Sequence, residues 1–432
     1  MKSFSLLCSC AALLAAAAWF GFGAEVPKAP VPSSPFIRVV YGFADAMLKN
    51  GRASSGSQKA GPFLSALDRN TLSALTNRPS APEGVSLRDR VGSETGSLLG
   101  VNPHHDENLL RLLSTLSDLS SKPQYRAAAD AELKGFVDNS DRSKSAFFRP
   151  WMLWDRCFEL SPAASKQFVI GLLQNFNPSS ALDSQRNAGF NIRAWSVAYA
   201  HTLDEQFIDA IAAALGRYET NRSLPPSLSL AIDCDGAAYG VPEPLPARLR
   251  ALAKRQDDGF CSLPHDLKRT KGFLIEMPNS GLESKQRRTA LWKAGSGGYT
   301  TAQAGMMCVS RYDNTGRTEY RDLIFAAAEA YLYSLPAHNE DVWPATFGHA
   351  ISLELAAWRH SANRIYMERA RRLGDWAVRE FWGTNALPRA SLKTEHYEAI
   401  TGADTLALAL LELHLNILHI TAVRCPPNTI DR

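Results

Sequence analysis

"SSKPQY" (120–125), "TLDEQF" (202–207), "TGRTEY" (315–320) and "SANRIY" (361–366) are four copies of one kind of junction. Each ends an apolar stretch with helical spacing, turns within a few residues and opens a second helix on an aromatic. A looser copy, "SPAASKQF" (161–168), ends at Phe168. The aromatics Tyr125, Phe168, Phe207, Tyr320 and Tyr366 follow one another at intervals of 43, 39, 113 and 46 residues. A unit of roughly forty residues is two helices and two loops at ordinary lengths. The wide interval has room for a divergent hairpin around "PEPLPARLRALAKRQ" (242–256) and a long insertion. β-branched residues are sparse and no strand-like alternation persists, so the spacing predicts an all-α chain. Adding one N-terminal hairpin and one C-terminal hairpin ("ADTLALALLELHL", 403–415) gives six or seven helical hairpins.

Such hairpins stack into an open solenoid or close into an α/α toroid (barrel). The loops favour the toroid. Those at the aromatic junctions are short, whereas those between hairpins are long and carry the unusual residues. In a toroid all inner helices run the same way, so the long loops gather on one rim and polar clusters distant in sequence converge.

The chain has 432 residues, 45% hydrophobic and 21% charged, with a formal net charge of +4. These are values for an ordinary globular protein with a large core. The charge is too mild, and basic runs too few, for a nucleic-acid partner. Residues 1–24 read as a signal peptide: a short basic start, an apolar Ala- and Leu-rich stretch, and small residues at the end near Gly23 and Ala24. Residues 25–35, "EVPKAPVPSSP", read as a Pro-rich linker, and 36–432 as a single toroid domain. The expected location is secreted or periplasmic, with no stable membrane span after the signal is removed. Of 7 cysteines, Cys157, Cys234, Cys261, Cys308 and Cys425 would remain. Their spacing is no disulfide framework, although Cys234 and Cys261 are candidates for pairing.

The segments leading into the proposed inner helices carry the chemistry. In "NPHHDEN" (102–108), His105 extends the apolar stripe of Leu109, Leu112 and Leu116 at its rim end. "FFRPWMLWDRCFEL" (147–160) places Arg149, Trp151 and Trp154 together, aromatics and a cation suited to sugar stacking and carboxylate binding. "SQRNAGFNIRAW" (184–195) brings Arg186 and Asn187, and "KAGSGGYTTAQAG" (293–305) a glycine-rich approach to Tyr299. "LPRASLKTEHYEAITGAD" (387–404) is the densest cluster, with Arg389, Lys393, His396, Tyr397 and Glu398. The chain lacks a nucleophile elbow, a zinc-protease motif, a phosphate loop and a dinucleotide fingerprint. A rim rich in Arg, Lys, His, Tyr and Trp suits an acidic polysaccharide or oligosaccharide.

"NPHHDENLLRLL" (102–113), "RPWMLWDRCFELSP" (149–162) and "KTEHYEAITGADTLALALLELHL" (393–415) resemble segments of secreted bacterial carbohydrate-active proteins of the α/α-toroid class, with α/α-barrel pectate lyases as the characterised relatives. The resemblance covers residues 95–420 in scattered blocks. It implies a divalent metal held by histidines and a glutamate, with an arginine as base. His105 matches the first metal histidine and Arg186 the basic arginine. Asn187 stands where a second histidine is expected, and no glutamate lies between Asn139 and Phe147, so the ligand set is incomplete.

The lyase reading is β-elimination across a uronic acid glycosidic bond. A base removes the C5 proton and donors neutralise charge developing on the neighbouring carboxylate. Arg186, His396 and Tyr397 are all retained as catalytic candidates, with Arg149, Trp151, Trp154, Asn187, Tyr299, Arg389 and Lys393 as substrate-binding residues. A glycoside hydrolase on the same ring needs two carboxylates, for which Asp106, Glu395, Glu398 and Asp404 are available. A non-catalytic sugar-binding protein that has lost its metal site is the third reading.

Overall fold

In a computed structural model of the chain, the structure describes residues 34–53, 62–75, 77, 79–87, 90, 105–139, 153–174, 185–220, 225–277, 285–293 and 298–428. Ser33–Arg432 forms one compact unit. The proposed signal peptide, and the linker as far as residue 33, lie outside the described residues, as do Arg149 and Trp151.

Among the described residues fifteen helices run in order: α1 (Pro35–Asn50), α2 (Glu107–Ser120), α3 (Pro123–Asn139), α4 (Trp154–Leu160), α5 (Pro162–Gln174), α6 (Gln185–Thr202), α7 (Gln206–Thr220), α8 (Leu228–Ala237), α9 (Leu245–Ser262), the single turn α10 (Leu267–Thr270), α11 (Thr301–Thr315), α12 (Thr318–Tyr331), α13 (Pro344–Ser361), α14 (Arg364–Ala377) and α15 (Ala403–Ile417). The described residues also hold four short strands: β1 (Ala66–Leu67), β2 (Leu274–Met277), β3 (Lys285–Arg288) and β4 (Tyr397–Glu398). β1 pairs with β4 and β2 with β3, both antiparallel.

The inner helices follow one another in a ring: α4 packs on α6, α6 on α8, α8 on α11, α11 on α13, α13 on α15 and α15 on α2, and α3 bridges α2 to α4. Outside this ring lie α3, α5, α7, α9, α12 and α14, each against a sequence neighbour, and α1, which packs on α15 and α3. Among the described residues this is an α/α toroid of seven inner and seven outer helices. The wide interval in the repeat holds the α8–α9 hairpin and an insertion carrying α10 and the β2–β3 hairpin.

The repeated junction has a physical cause. Ser121, Leu203, Gly316 and Ala362, each the residue that ends an inner helix, all take the left-handed conformation, at φ 56°, 53°, 67° and 56°. That conformation turns the chain sharply out of a helix. The next helix then begins within a few residues, and its aromatic drops between the layers. Tyr125, Phe168, Phe207, Tyr320 and Tyr366 are all 6% exposed or less. Burying such a ring contributes about 1.5–3 kcal/mol. Two also anchor by hydrogen bonds, Tyr125 to Asp45 at 2.7 Å and Tyr320 to Asp257 at 2.6 Å.

Ring closure rests on the start of α15. Gly402, at φ +74°, lies so close to Ala345 that a Cβ there would come within 2.6 Å of the alanine methyl. Gly348 of α13 likewise abuts the Thr405 carbonyl, 2.7 Å from where its Cβ would sit. On the other side, Asp404 accepts a hydrogen bond from the Leu109 backbone N–H of α2 at 2.9 Å, and its second oxygen accepts from Thr405 N–H at 2.7 Å. The last inner helix thereby caps the first.

Polar groups at the other ends of the inner helices also pair. Buried Arg311 of α11 forks onto Asp257 of α9 at 2.8 and 2.6 Å and reaches Asp235 of α8 at 2.6 Å. These groups line a cleft of about 580 Å³ on the rim opposite the α2 and α15 starts. Cys157, Cys234, Cys261, Cys308 and Cys425 are all free thiols, so the candidate Cys234–Cys261 pair is not formed. Burial pushes the Cys234 thiol well above its usual range.

Asp404→Ala leaves a buried α2 N–H without its acceptor and should cost about 1–3 kcal/mol, measured by urea unfolding, with Asp404→Asn intermediate. An unchanged midpoint for Asp404→Ala would mean the ring does not depend on this contact. Glu354 of α13 is fully buried with neither carboxylate oxygen hydrogen-bonded, and burial raises its pKa well above the usual range, partly offset by Arg369. Burial likewise pushes Glu132 up to about 7, against the pull of Arg52 and the Phe63 N–H. Raised folded-state values mean that stability is full below the ordinary Glu pKa and falls as pH rises through the raised one. Glu354→Met should therefore flatten the decline above about pH 4.5 and raise the melting temperature at neutral pH. An unaltered pH profile in that variant counts against a protonated Glu354.

Candidate active site

The starts of the inner helices lie on one rim, as the alternation of short and long loops predicts. The hydroxyls of Ser229 (α8) and Tyr299, just before α11, are 3.4 Å apart. A Cβ on Gly189 of α6 would meet Asp233 and Leu230 of α8. With the Gly402–Ala345 and Asp404–Leu109 contacts, these link the beginnings of α6, α8, α11, α13, α15 and α2. Local caps set several of these starts. Ser227 accepts from Leu230 N–H, Thr300 from Gln303 N–H, and Pro344 opens α13.

Over this rim run the described parts of the segment 62–90 (62–75, 77, 79–87 and 90), tied to the loops before α11, α13 and α15. Its β1 pairs with β4, Glu83 N–H donates to Asp341 at 3.1 Å, and the Trp343 indole N–H donates to the Glu83 carbonyl at 3.0 Å. Lys293 reaches the Glu83 carboxylate at 2.8 Å. Asp341 also accepts from Lys393 N–H at 3.0 Å, so one carboxylate staples three segments.

The chemically distinctive group is a buried triad. Arg90 donates to both oxygens of Glu398, at 2.5 and 2.8 Å, and Glu398 Oε2 lies 2.7 Å from His396 Nε2. His396 is 9% exposed, Glu398 4% and Arg90 3%. Burial alone would raise the Glu398 pKa, but the hydrogen bonds from His396 and Arg90 outweigh it and hold the carboxyl below its ordinary range. An anionic carboxylate can only accept, so Nε2 carries a proton in this pairing and Nδ1 is the nitrogen left for a ligand. Among the described residues His396 Nδ1 has no hydrogen-bond partner. This is the arrangement of a general base with its orienting group.

The other candidate residues are distributed as follows. His105 is buried at the turn into α2. Arg186 and Asn187 lie in the first turn of α6, on the same rim; their side chains are outside the description. Tyr397, between His396 and Glu398 on β4, points to the opposite side and packs on Phe43 of outer helix α1, with ring centres 6.1 Å apart. Strand alternation sends it into the core while its two neighbours face Arg90. Trp154 is also a core residue, 1% exposed, against Phe168 at 5.7 Å and Phe190 at 6.4 Å. Tyr299 is half-buried beside Ser229. Arg389 and Lys393 brace loops: Arg389 bonds the Leu392 carbonyl and Glu395, and Lys393 Nζ bonds the Asn339 carbonyl.

Of the acidic candidates, Asp404 caps two N–H groups, Glu398 is shared by Arg90 and His396, and the exposed Glu395 pairs with Arg69 and Arg389. Among the described residues no three His, Cys, Asp or Glu side chains gather into a metal-binding group. Arg90 had no sequence signal, since it lies 308 residues from Glu398 in a stretch without helical periodicity.

No sequence family matches the chain, and no curated protein does. Solved structures with a similar course include a D-mannose isomerase, at 9% identity over 90% of this chain and 100% of that one, TM-score 0.48. The α-1,6-mannanase GH76A of Salegentibacter sp. HEL1_6 is similar at 10% identity over 89% and 99%, TM-score 0.46. A polysaccharide lyase is similar at 12% identity over 87% of this chain and 53% of that one, TM-score 0.47. No described helix is long and apolar enough to cross a membrane.

Glu398→Gln should break the Arg90 bridge and leave a buried guanidinium without its anion, at a cost of about 3–5 kcal/mol in urea unfolding. Because the folded-state pKa is depressed, the native bridge stabilises fully above the ordinary Glu range and is lost as pH falls through the depressed value. The acid limb of the stability profile should be shallower in Glu398→Gln than in the unaltered chain; superimposable limbs would rule out an ionised Glu398.

Proposed function

We infer that the protein is a secreted or periplasmic enzyme that cleaves an acidic, uronic acid-containing polysaccharide by β-elimination, with His396 as the base. One observation carries this reading. A histidine at the toroid rim is held at 2.7 Å by a carboxylate that Arg90 keeps ionised, and its other nitrogen is without a partner among the described residues.

In the proposed step His396 Nδ1 takes the C5 proton of a uronic acid unit. The C5–H electron pair becomes the C4–C5 double bond, and the C4–O bond breaks with its pair on the departing sugar oxygen. That oxygen takes up a proton from water, and the hydroxide left takes the proton from Nδ1, which restores the base. Glu398 stabilises the imidazolium that forms, as an anion does when hydrogen-bonded to the far nitrogen of a catalytic histidine. The C5 proton is weakly acidic, so the charge that spreads onto the adjacent carboxylate needs cationic or N–H donors. Arg186, with Asn187 next to it on the same rim, is assigned that role, because a guanidinium stays protonated and is better suited to neutralise charge than to accept a proton. Tyr299 offers a ring for sugar contact. Donation by Arg and Asn takes the place of a metal in this scheme.

The test is a panel of acidic polysaccharides followed by near-ultraviolet absorbance. Elimination creates a conjugated double bond and raises absorbance. His396→Gln should lower the rate by about 10²–10⁴-fold, the usual contribution of a positioned base, and a chelator should leave it unchanged. Reducing ends without absorbance would assign a hydrolase instead, and binding without either product would assign a sugar-binding protein.

A further inference from the structure

Every residue that lines the cleft on the opposite rim lies among the described residues, and one of its cations is left over. The lining holds Arg250, Lys254, Arg311 and Arg317 with Asp235, Asp257 and Asp258. Arg311 is held by Asp257 and Asp235, each at 2.6 Å, and Lys254 and Arg317 share Asp258, at 2.6 and 2.7 Å. Arg250, exposed on α9, makes no hydrogen bond or ion pair among the described residues. Its guanidinium carbon lies 5.8 Å from the centre of the Tyr239 ring.

Tyr239 is 77% exposed and also lines the cleft. The turn that carries it is tightly held. Gly240 N–H donates to the Ala237 carbonyl at 3.1 Å, and a Cβ on Gly240 would come 3.1 Å from the Ser196 carbonyl of α6. Asp235 gives only Oδ2 to Arg311 and Asn314, at 2.6 and 2.7 Å. Its Oδ1 and the Asn314 amide oxygen have no hydrogen-bond partner among the described residues. Arg311 is 2% exposed and locked to both acids, so these groups are in place before anything binds.

The combination matches a sugar that carries a carboxylate. A sugar ring has apolar C–H faces, which an aromatic ring covers, and hydroxyls that need acceptors as well as donors. Tyr239 supplies the ring, Asp235 and Asn314 the acceptors, and Arg250 a planar fork for one carboxylate. A phosphate chain suits the cleft poorly, because three carboxylates line it. An apolar ligand would strip water from charged groups and offer them nothing in return.

We propose that this cleft is a second, non-catalytic binding site for an acidic oligosaccharide, with Tyr239, Arg250, Asp235 and Asn314 as its contacts. The uronic acid class rests on the reading above; the site itself rests on the cleft. Helix α11 (Thr301–Thr315) spans from the His396 rim to the cleft, roughly 20 Å of helical rise. A trisaccharide therefore occupies one site or the other, whereas a polymer held at the cleft can present another stretch to the rim. Tethering of this kind raises the effective concentration of substrate there without any new contact.

The test is calorimetry on the full chain carrying His396→Gln, which slows turnover, with trigalacturonate as probe and mannotriose as the neutral control. Two binding events per protein are expected. Adding Arg250→Ala should weaken one of them by about tenfold or more, and Tyr239→Ala should weaken the same one. Arg250→Lys keeps the charge without the fork and should fall between. Both side chains are exposed, so melting temperatures should not move. A single event that both variants weaken supports the cleft and removes sugar binding at the His396 rim. Binding that neither variant alters overturns the cleft site and leaves the rim reading standing. Mannotriose bound as tightly as trigalacturonate, with no response to Arg250→Ala, overturns the acidic assignment. No binding of either sugar overturns the cleft and the rim together.

Discussion

The architecture depends on one contact, the buried Asp404 carboxylate at the start of the last inner helix accepting from the Leu109 N–H of the second helix. The two groups are 295 residues apart, and joining them turns a stack of hairpins into a ring. An unsatisfied buried N–H or carboxylate is expensive, so each group holds the other in place. Gly402 and Gly348 make that approach possible on the other side of α15, where a Cβ would collide with α13. With the ring closed, all inner helices start on the same rim, and the loops before them have nowhere else to gather.

That rim is built as a rigid frame. Asp341 ties three segments, Arg69 donates to the carbonyls of Leu387, Phe381 and Trp382, and Arg90 closes over Glu398. A base needs fixed orientation more than it needs mobility, and a carboxylate locked by an arginine provides it. On the opposite rim, buried Arg311 is spent on Asp257 and Asp235, and Tyr320 behind it bonds Asp257 as well.

The dense cluster from Arg389 to Glu398 divides by strand alternation and by loop geometry. His396 and Glu398 face Arg90, Tyr397 enters the core, and Arg389 and Lys393 brace backbone carbonyls. All five residue types suit substrate contact when read as letters. Glu398 meets Arg90, and His396 meets Glu398, beside a register in which β1 pairs with β4 from a segment more than three hundred residues earlier.

What the sequence determined by itself was local and periodic. The aromatic junctions fixed the hairpin as the unit, because a left-handed residue after each inner helix and a buried ring in the next outer helix are neighbours in the chain. The wide interval could be filled correctly for the same reason. Ring closure, the partners of His396, and the lining of the opposite cleft were decided only in three dimensions. Each joins groups with no periodic relation: Asp404 with Leu109, Glu398 with Arg90, Arg311 with Asp257. Their cause is the need to satisfy buried polar groups once the helices have packed, and that need has no local signature in the chain.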